Sequence, residues 1–213
     1  MKKIFLMAFV ALSLSAMAQN VTPLNIQLYD FKVDSLRALY MSEPIMYRAA
    51  LDAVAQQLAK NGEEIKAAKQ ELKTEQAHAK EKASSLKDAM KMTASLKKLY
   101  EKEDAEVRAM QKVVEKQQKT LNKQKELNQE TRDAYAQLLE QQQKELGYAL
   151  REIAERMRST SDIYTAIQNS QTDLQAYEQQ VAQKAHDLSL LEAELKARQT
   201  SVKAEQKAAK SMQ

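Results

Sequence analysis

After Pro44 the chain has no further proline, and through that whole stretch its apolar residues return every seven positions. Stepping by sevens from Leu51 gives Leu51, Leu58, Ile65, Leu72, Ala79, Leu86, Thr93, Tyr100, Val107, Val114 and Leu121, of which ten of eleven are apolar. A second column runs Leu139, Leu146, Ile153, Thr160, Ile167, Leu174, Val181, Leu188, Leu195 and Val202, nine of ten apolar, against 44% for the whole chain. A helix turns once per 3.6 residues, so a strict repeat of seven lines one stripe and winds it left-handedly against a partner stripe. A strand repeats every second residue and cannot produce this period. The fold class is therefore all-α, a long helical coiled coil.

Composition agrees. Two glycines and two prolines in 213 residues leave too little turn chemistry for β sandwiches, barrels or α/β folds. The rest is rich in Ala, Lys, Glu, Gln and Leu, all good helix formers. The companion column three residues after the first is weak. Val54, Asn61, Ala68, Glu75, Lys82, Ala89, Leu96, Glu103, Met110, Gln117 and Gln124 include only five apolar members. Such a narrow stripe suits a thin two-stranded contact or a loose bundle and encloses no deep pocket. Pairs such as Asp104–Arg108, Glu115–Lys119, Glu152–Arg156 and Glu194–Arg198 stand at i, i+4 and keep the outer faces solvated.

The two columns are out of phase: Leu121 to Leu139 is two heptads plus four residues. A stutter in one continuous helix and a turn between two helices both produce that shift. The preferred reading is an antiparallel helical hairpin turning within 122–133, which holds Asn122 and Asn128 but neither Gly nor Pro. The polar run Ser159-Thr160-Ser161-Asp162 is the second choice, and Asn61-Gly62 is a further possible break.

Residues 19–43 form a short irregular arm ahead of the repeat (44–213). Leu24, Ile26 and Leu28 alternate as an edge strand or an extended segment would, and Asp34 is placed to start a short helix reaching Met41. Ser42 is placed to cap the long helix that Pro44 opens. Tyr29, Phe31, Tyr40 and Tyr47 crowd into this region as a candidate docking patch, with packing of the arm onto the helices as the plainer alternative.

Ahead of the arm, residues 1–18 read as a cleavable signal peptide: Lys2 and Lys3, an apolar core from Ile4 to Ser15, then Ala16-Met17-Ala18. The apolar run is too short for a bilayer span. The expected destination is the periplasm of a Gram-negative cell, with full secretion as the alternative. Removing two lysines lowers the net charge from +4 to +2. So even a balance is poor ground for a nucleic-acid partner.

Little points to chemistry. Without cysteine there are no thiolate nucleophiles or Cys-ligated metals, and His78 and His186 have no second ligand at metal spacing. Carboxylates such as Glu63-Glu64 and Glu103-Asp104 stand on solvated faces, where nothing desolvates one of a pair. Gly62 and Gly147 form no phosphate loop. No enzyme activity, cofactor, metal or small-molecule substrate is expected. The stretch 111–129 has a local charge of +3, with Lys112, Lys116, Lys119, Lys123 and Lys125 as a candidate contact for an acidic protein or anionic membrane surface.

A signal peptide, about 195 mature residues, a slightly basic balance and long amphipathic helices give a layout that resembles the Skp/OmpH-like periplasmic chaperones. In those, helical hairpins project from a small trimeric β body and hold unfolded outer-membrane proteins. Leu24–Val33 is the one strand-like run available here for such a body, and the C-terminus is not strand-like. The leading expectation is a non-enzymatic envelope protein, a spacer, scaffold or interaction module that self-associates through its apolar columns and meets another envelope protein. The resemblance implies the alternative, an ATP-independent holdase.

Overall fold

The computed structural model describes residues 21–124 and 126–211. The signal sequence expected over 1–18, Lys125 and the side chain of Tyr40 lie outside the described residues. The chain is an all-α helical hairpin with a short irregular N-terminal arm. Its helices are α1 (Val33–Ser42), α2 (Pro44–Lys123) and α3 (Gln129–Ser211). It divides into two compact units, each built from one stretch of α2 and one of α3. The arm unit comprises described residues 21–82 and 173–211, and the turn unit comprises 83–172 with residue 125 excepted.

In the arm unit the two helices run antiparallel. Lys69 meets Glu192, and further along Glu75 meets Lys184 at 2.9 Å, one number rising as the other falls. Leu51, Leu58, Ile65, Leu72, Val181, Leu188, Leu195 and Val202 are buried in one core, with Leu174 half-buried against it. Fully burying such a side chain contributes about 1.5–3 kcal/mol, which is why the stripe, and not propensity alone, holds the pair together. The apolar columns expected to drive self-association are therefore consumed inside one chain.

The arm does not form an edge strand. No strand exists among the described residues, and the alternating exposure of 24–29 is the pattern of an extended segment that has no ladder partner. Its alternation is nevertheless real: Val21, Leu24, Ile26, Leu28 and Phe31 pack against the core while Asn25, Gln27 and Tyr29 face water. The helical groove takes the alternate side chains, and side chains of the long helices satisfy part of the backbone.

The Ser42 side chain, expected as the cap of α2, lies outside the described residues. The short helix α1 continues through Ser42, so Glu43 occupies the cap position and its carbonyl accepts from Tyr47 N at 3.1 Å. Pro44 sits at the first helical position, where a missing N–H costs nothing.

In the turn unit the helices are again antiparallel, with Arg156 near Glu103 at 3.8 Å and Gln171 Nε2 on Met90 Sδ at 2.9 Å. Val114, Leu121 and Leu139 form a small core that Leu127, Ala136 and Leu146 flank. Leu86, Ile153 and Ile167 are buried and Val107 is half-buried. Three heptads back from Val114 and three forward from Leu139 lie the two hydroxyl members of the columns, Thr93 and Thr160. Both are buried, and each hydroxyl donates to the carbonyl four residues earlier at 2.8 Å. A stripe interrupted by threonine thus remains helical because the hydroxyl is satisfied locally.

The break between α2 and α3 falls at 124–128, inside the 122–133 window. It needs no glycine. Asn128 Oδ1 accepts from Thr131 N at 2.8 Å as the cap of α3, and Arg132 Nη2 donates to the Gln124 carbonyl at 2.7 Å. The second-choice turn at 159–162 is instead continuous helix with Thr160 in its buried stripe, so its polar residues cap nothing. The Asn61-Gly62 break is helix too. Asn61 is occupied by the arm, and a Cβ at Gly62 would meet Leu195 Cδ2 at an ordinary 3.8 Å.

Candidate interaction surface

Two polar members of the weak companion column, Asn61 and Glu75, are where the arm lands. Asn61 is 7% exposed, and its carboxamide binds the arm backbone twice. Nδ2 donates to the Gln27 carbonyl at 3.1 Å, and Oδ1 accepts from Tyr29 N at 2.8 Å. From α3, Arg198 donates to the Tyr29 carbonyl and also binds Glu194. One residue of the arm is thereby held on its N–H and its C=O by two different helices.

Glu75, two heptads beyond Asn61, accepts from Thr22 N at 3.0 Å and from Lys184 Nζ at 2.9 and 3.0 Å. Lys184 has a side chain only 4% exposed, so the ion pair is largely desolvated. Beyond the arm, Arg37 of α1 donates to Glu205 at 2.6 Å and Tyr47 Oη donates to the same carboxylate at 2.7 Å. These bonds, Arg37 first and Tyr47 second, hold the Glu205 carboxyl below the ordinary carboxylate range.

Two of the three described members of the aromatic cluster, Phe31 and Tyr47, are turned inward. Among the described side chains, Tyr47 is 3% exposed and belongs to the core, Phe31 packs against that core, and Tyr29 is open, at 43%. The aromatics close the arm onto the helices because an extended segment with no ladder partner must gain its stability from side-chain burial. Tyr29 contributes its backbone, and its ring stays outside.

The turn unit is different in kind. Met92, Leu99, Met110, Val113, Tyr135, Leu138, Tyr148 and Tyr164 are all exposed large apolar residues there, whereas the arm unit exposes half as many. Between α2 and α3, four of them, Met110, Val113, Tyr135 and Leu138, border two neighbouring shallow grooves. One, of about 560 Å³, is lined by Val113, Leu121, Leu127, Tyr135, Leu138 and Leu139 together with Lys116, Gln117 and Gln142. The other, of about 890 Å³, is lined by Val107, Met110, Val113, Val114, Leu146 and Ala149, again with Gln117 and Gln142. Lys112, Lys116, Lys119 and Lys123 are exposed on this stretch of α2, and Lys116 itself borders the first groove.

Sequence reasoning identified the lysines and the seam but not these grooves. Their signal was present in the companion column, whose Met110 and Gln117 line them. His78 and His186 are exposed, and among the described residues no three of His, Asp or Glu cluster as a metal site. No helix among the described residues is long and apolar enough to cross a membrane. No family model matches the chain, and no curated protein or solved structure is significantly similar to it.

Proposed function

We propose that this chain is a non-enzymatic interaction protein of the bacterial cell envelope, exported and cleaved after Ala18, that serves as a spacer or scaffold and receives a protein partner on its turn unit. The observation that carries this reading is the run of exposed apolar residues around the two grooves, with the lysines beside them. Apolar side chains gathered along a groove and rimmed by polar residues mark interaction surfaces. The lysines suit an acidic rim on the partner and speed encounter with it.

The second reading is an ATP-independent holdase. It is favoured by the spread of exposed Met and Tyr from Met92 to Tyr164, because flexible thioethers and amphipathic rings adapt to varied clients. A photo-crosslinker at position 113 or 123 in cells separates the two. A scaffold captures one envelope protein. A holdase captures many, and the purified protein also suppresses aggregation of a denatured β-barrel protein at near-equal molar ratio, less so as salt rises. A mature N-terminus at Gln19 in the periplasmic fraction supports the export step, and an intact Met1 in the cytosol refutes it.

A further inference from the structure

The arm shows how this hairpin binds an extended chain. At Gln27–Tyr29 the backbone is read by a carboxamide from α2 (Asn61) and a guanidinium from α3 (Arg198). Within and beside this segment, Leu24, Ile26, Leu28 and Phe31 pack against the helical core, most of them at alternate positions.

The heptad carries the same two positions into the turn unit. Eight heptads after Asn61 stands Gln117, and eight heptads before Arg198 stands Gln142. These two residues line both grooves of that unit. Each has a side-chain amide that can donate and accept at once, as Asn61 does toward Gln27 and Tyr29. The apolar neighbours are open to water, with Met110 55%, Val113 53%, Tyr135 53% and Leu138 51% exposed. In the arm unit these heptad positions already form an interface with an extended segment. In the turn unit no described segment covers them.

We propose that the groove around Gln117 and Gln142 is a second seat for an extended polypeptide, occupied by a segment of another protein with apolar residues at alternate positions. This rests on the reading that the turn unit receives a protein partner, and it specifies that partner's conformation and pattern. A helical occupant fits less well, because its backbone groups are already paired and leave the two amides nothing to read. The arm of a second copy is a poor occupant too, since Leu24, Ile26 and Leu28 are engaged in their own unit. An extended segment supplies free N–H and C=O groups and places alternate side chains on one face.

The test uses the mature protein and a fluorescent peptide of residues 21–31, VTPLNIQLYDF, with a permuted peptide of equal composition whose apolar residues are consecutive. Anisotropy should show saturable binding of the first and at least several-fold weaker binding of the second. Gln117→Ala combined with Gln142→Ala should weaken binding about tenfold, the effect of losing two modest hydrogen bonds. Both side chains are exposed and alanine favours helix, so unchanged circular dichroism is expected. Asn61→Ala should leave this binding in place.

The proposal is overturned by absence of saturable binding, by equal binding of the two peptides, or by indifference to the double variant. It is equally overturned if the loss follows Asn61→Ala instead, which would place the peptide on the arm's own seat. Concentration-dependent dimerisation abolished by Val113→Asp would make the occupant a second copy. A single folded partner captured at position 113 without any peptide binding would sink the extended-segment proposal alone and leave the interaction reading standing.

Discussion

Asn61 interrupts an apolar column, and heptad logic alone would replace it with leucine to improve the stripe. The structure predicts the opposite outcome for the arm. Asn61→Leu removes the acceptor for Tyr29 N and the donor to the Gln27 carbonyl, at 2.8 and 3.1 Å. At about 0.5–1.5 kcal/mol each, the two bonds together contribute about 1–3 kcal/mol to holding the arm. Leucine also has the higher helix propensity, so the helices themselves should not suffer. The expected result is local: amide exchange across 21–31 should accelerate roughly 5- to 150-fold, the factor corresponding to that range. Helical content should be unchanged or slightly higher. Hydrogen-exchange mass spectrometry of the mature protein reads both at once. Unchanged protection of 21–31 would refute the claim that polar companion residues exist to hold the arm, and loss of helix throughout would show that Asn61 serves the hairpin itself.

Three further outcomes follow from individual contacts. Lys184→Met should destabilise the fold by about 3–5 kcal/mol in urea titration, because the Glu75 carboxylate is left largely buried without its cation; a change under 1 kcal/mol would mean that water reaches the pair. Gly147→Ala should raise stability by about 0.8–1.0 kcal/mol, since a Cβ there has nothing within 4 Å and glycine is costly in a helix interior; a lower melting temperature would contradict the open space. The pH dependence follows from Glu205, whose carboxyl is held below its ordinary value of 4.5 by Arg37 and then Tyr47. A depressed folded pKa stabilises the fold above the unfolded pKa, and that contribution is lost as pH falls through the lower folded value. Protection of α1 should therefore decline below about pH 4.5, and Glu205→Gln should flatten the decline.

What could be read from the residues alone was what depends on local period. Every seam residue from Leu51 to Val202 is buried or half-buried, because a seven-residue stripe has one way to escape water on a helix. The turn could be narrowed to a window by the phase shift, but its position within the window rests on a side-chain cap at Asn128 and a reach of eight residues from Arg132 to Gln124. Polar runs elsewhere offered equally good local signals. Ser159–Asp162 lost because Thr160 completes a buried column, and a hydroxyl bonded to its own helix is not a cap.

The companion column marks the boundary between the two kinds of information. Its weakness was visible, and it predicted a thin contact. That Asn61 and Glu75 are polar because a segment 53 or fewer residues away brings its backbone to them is a long-range fact with no local trace. The same holds for the aromatics, whose crowding suggested a docking patch, whereas Tyr47 lies in the core and Phe31 packs against it. Periodicity along the chain determined which residues hide. Only the tertiary structure decided what hides them, because burial by the same helix pair, by the arm or by another protein leaves an identical pattern in the sequence.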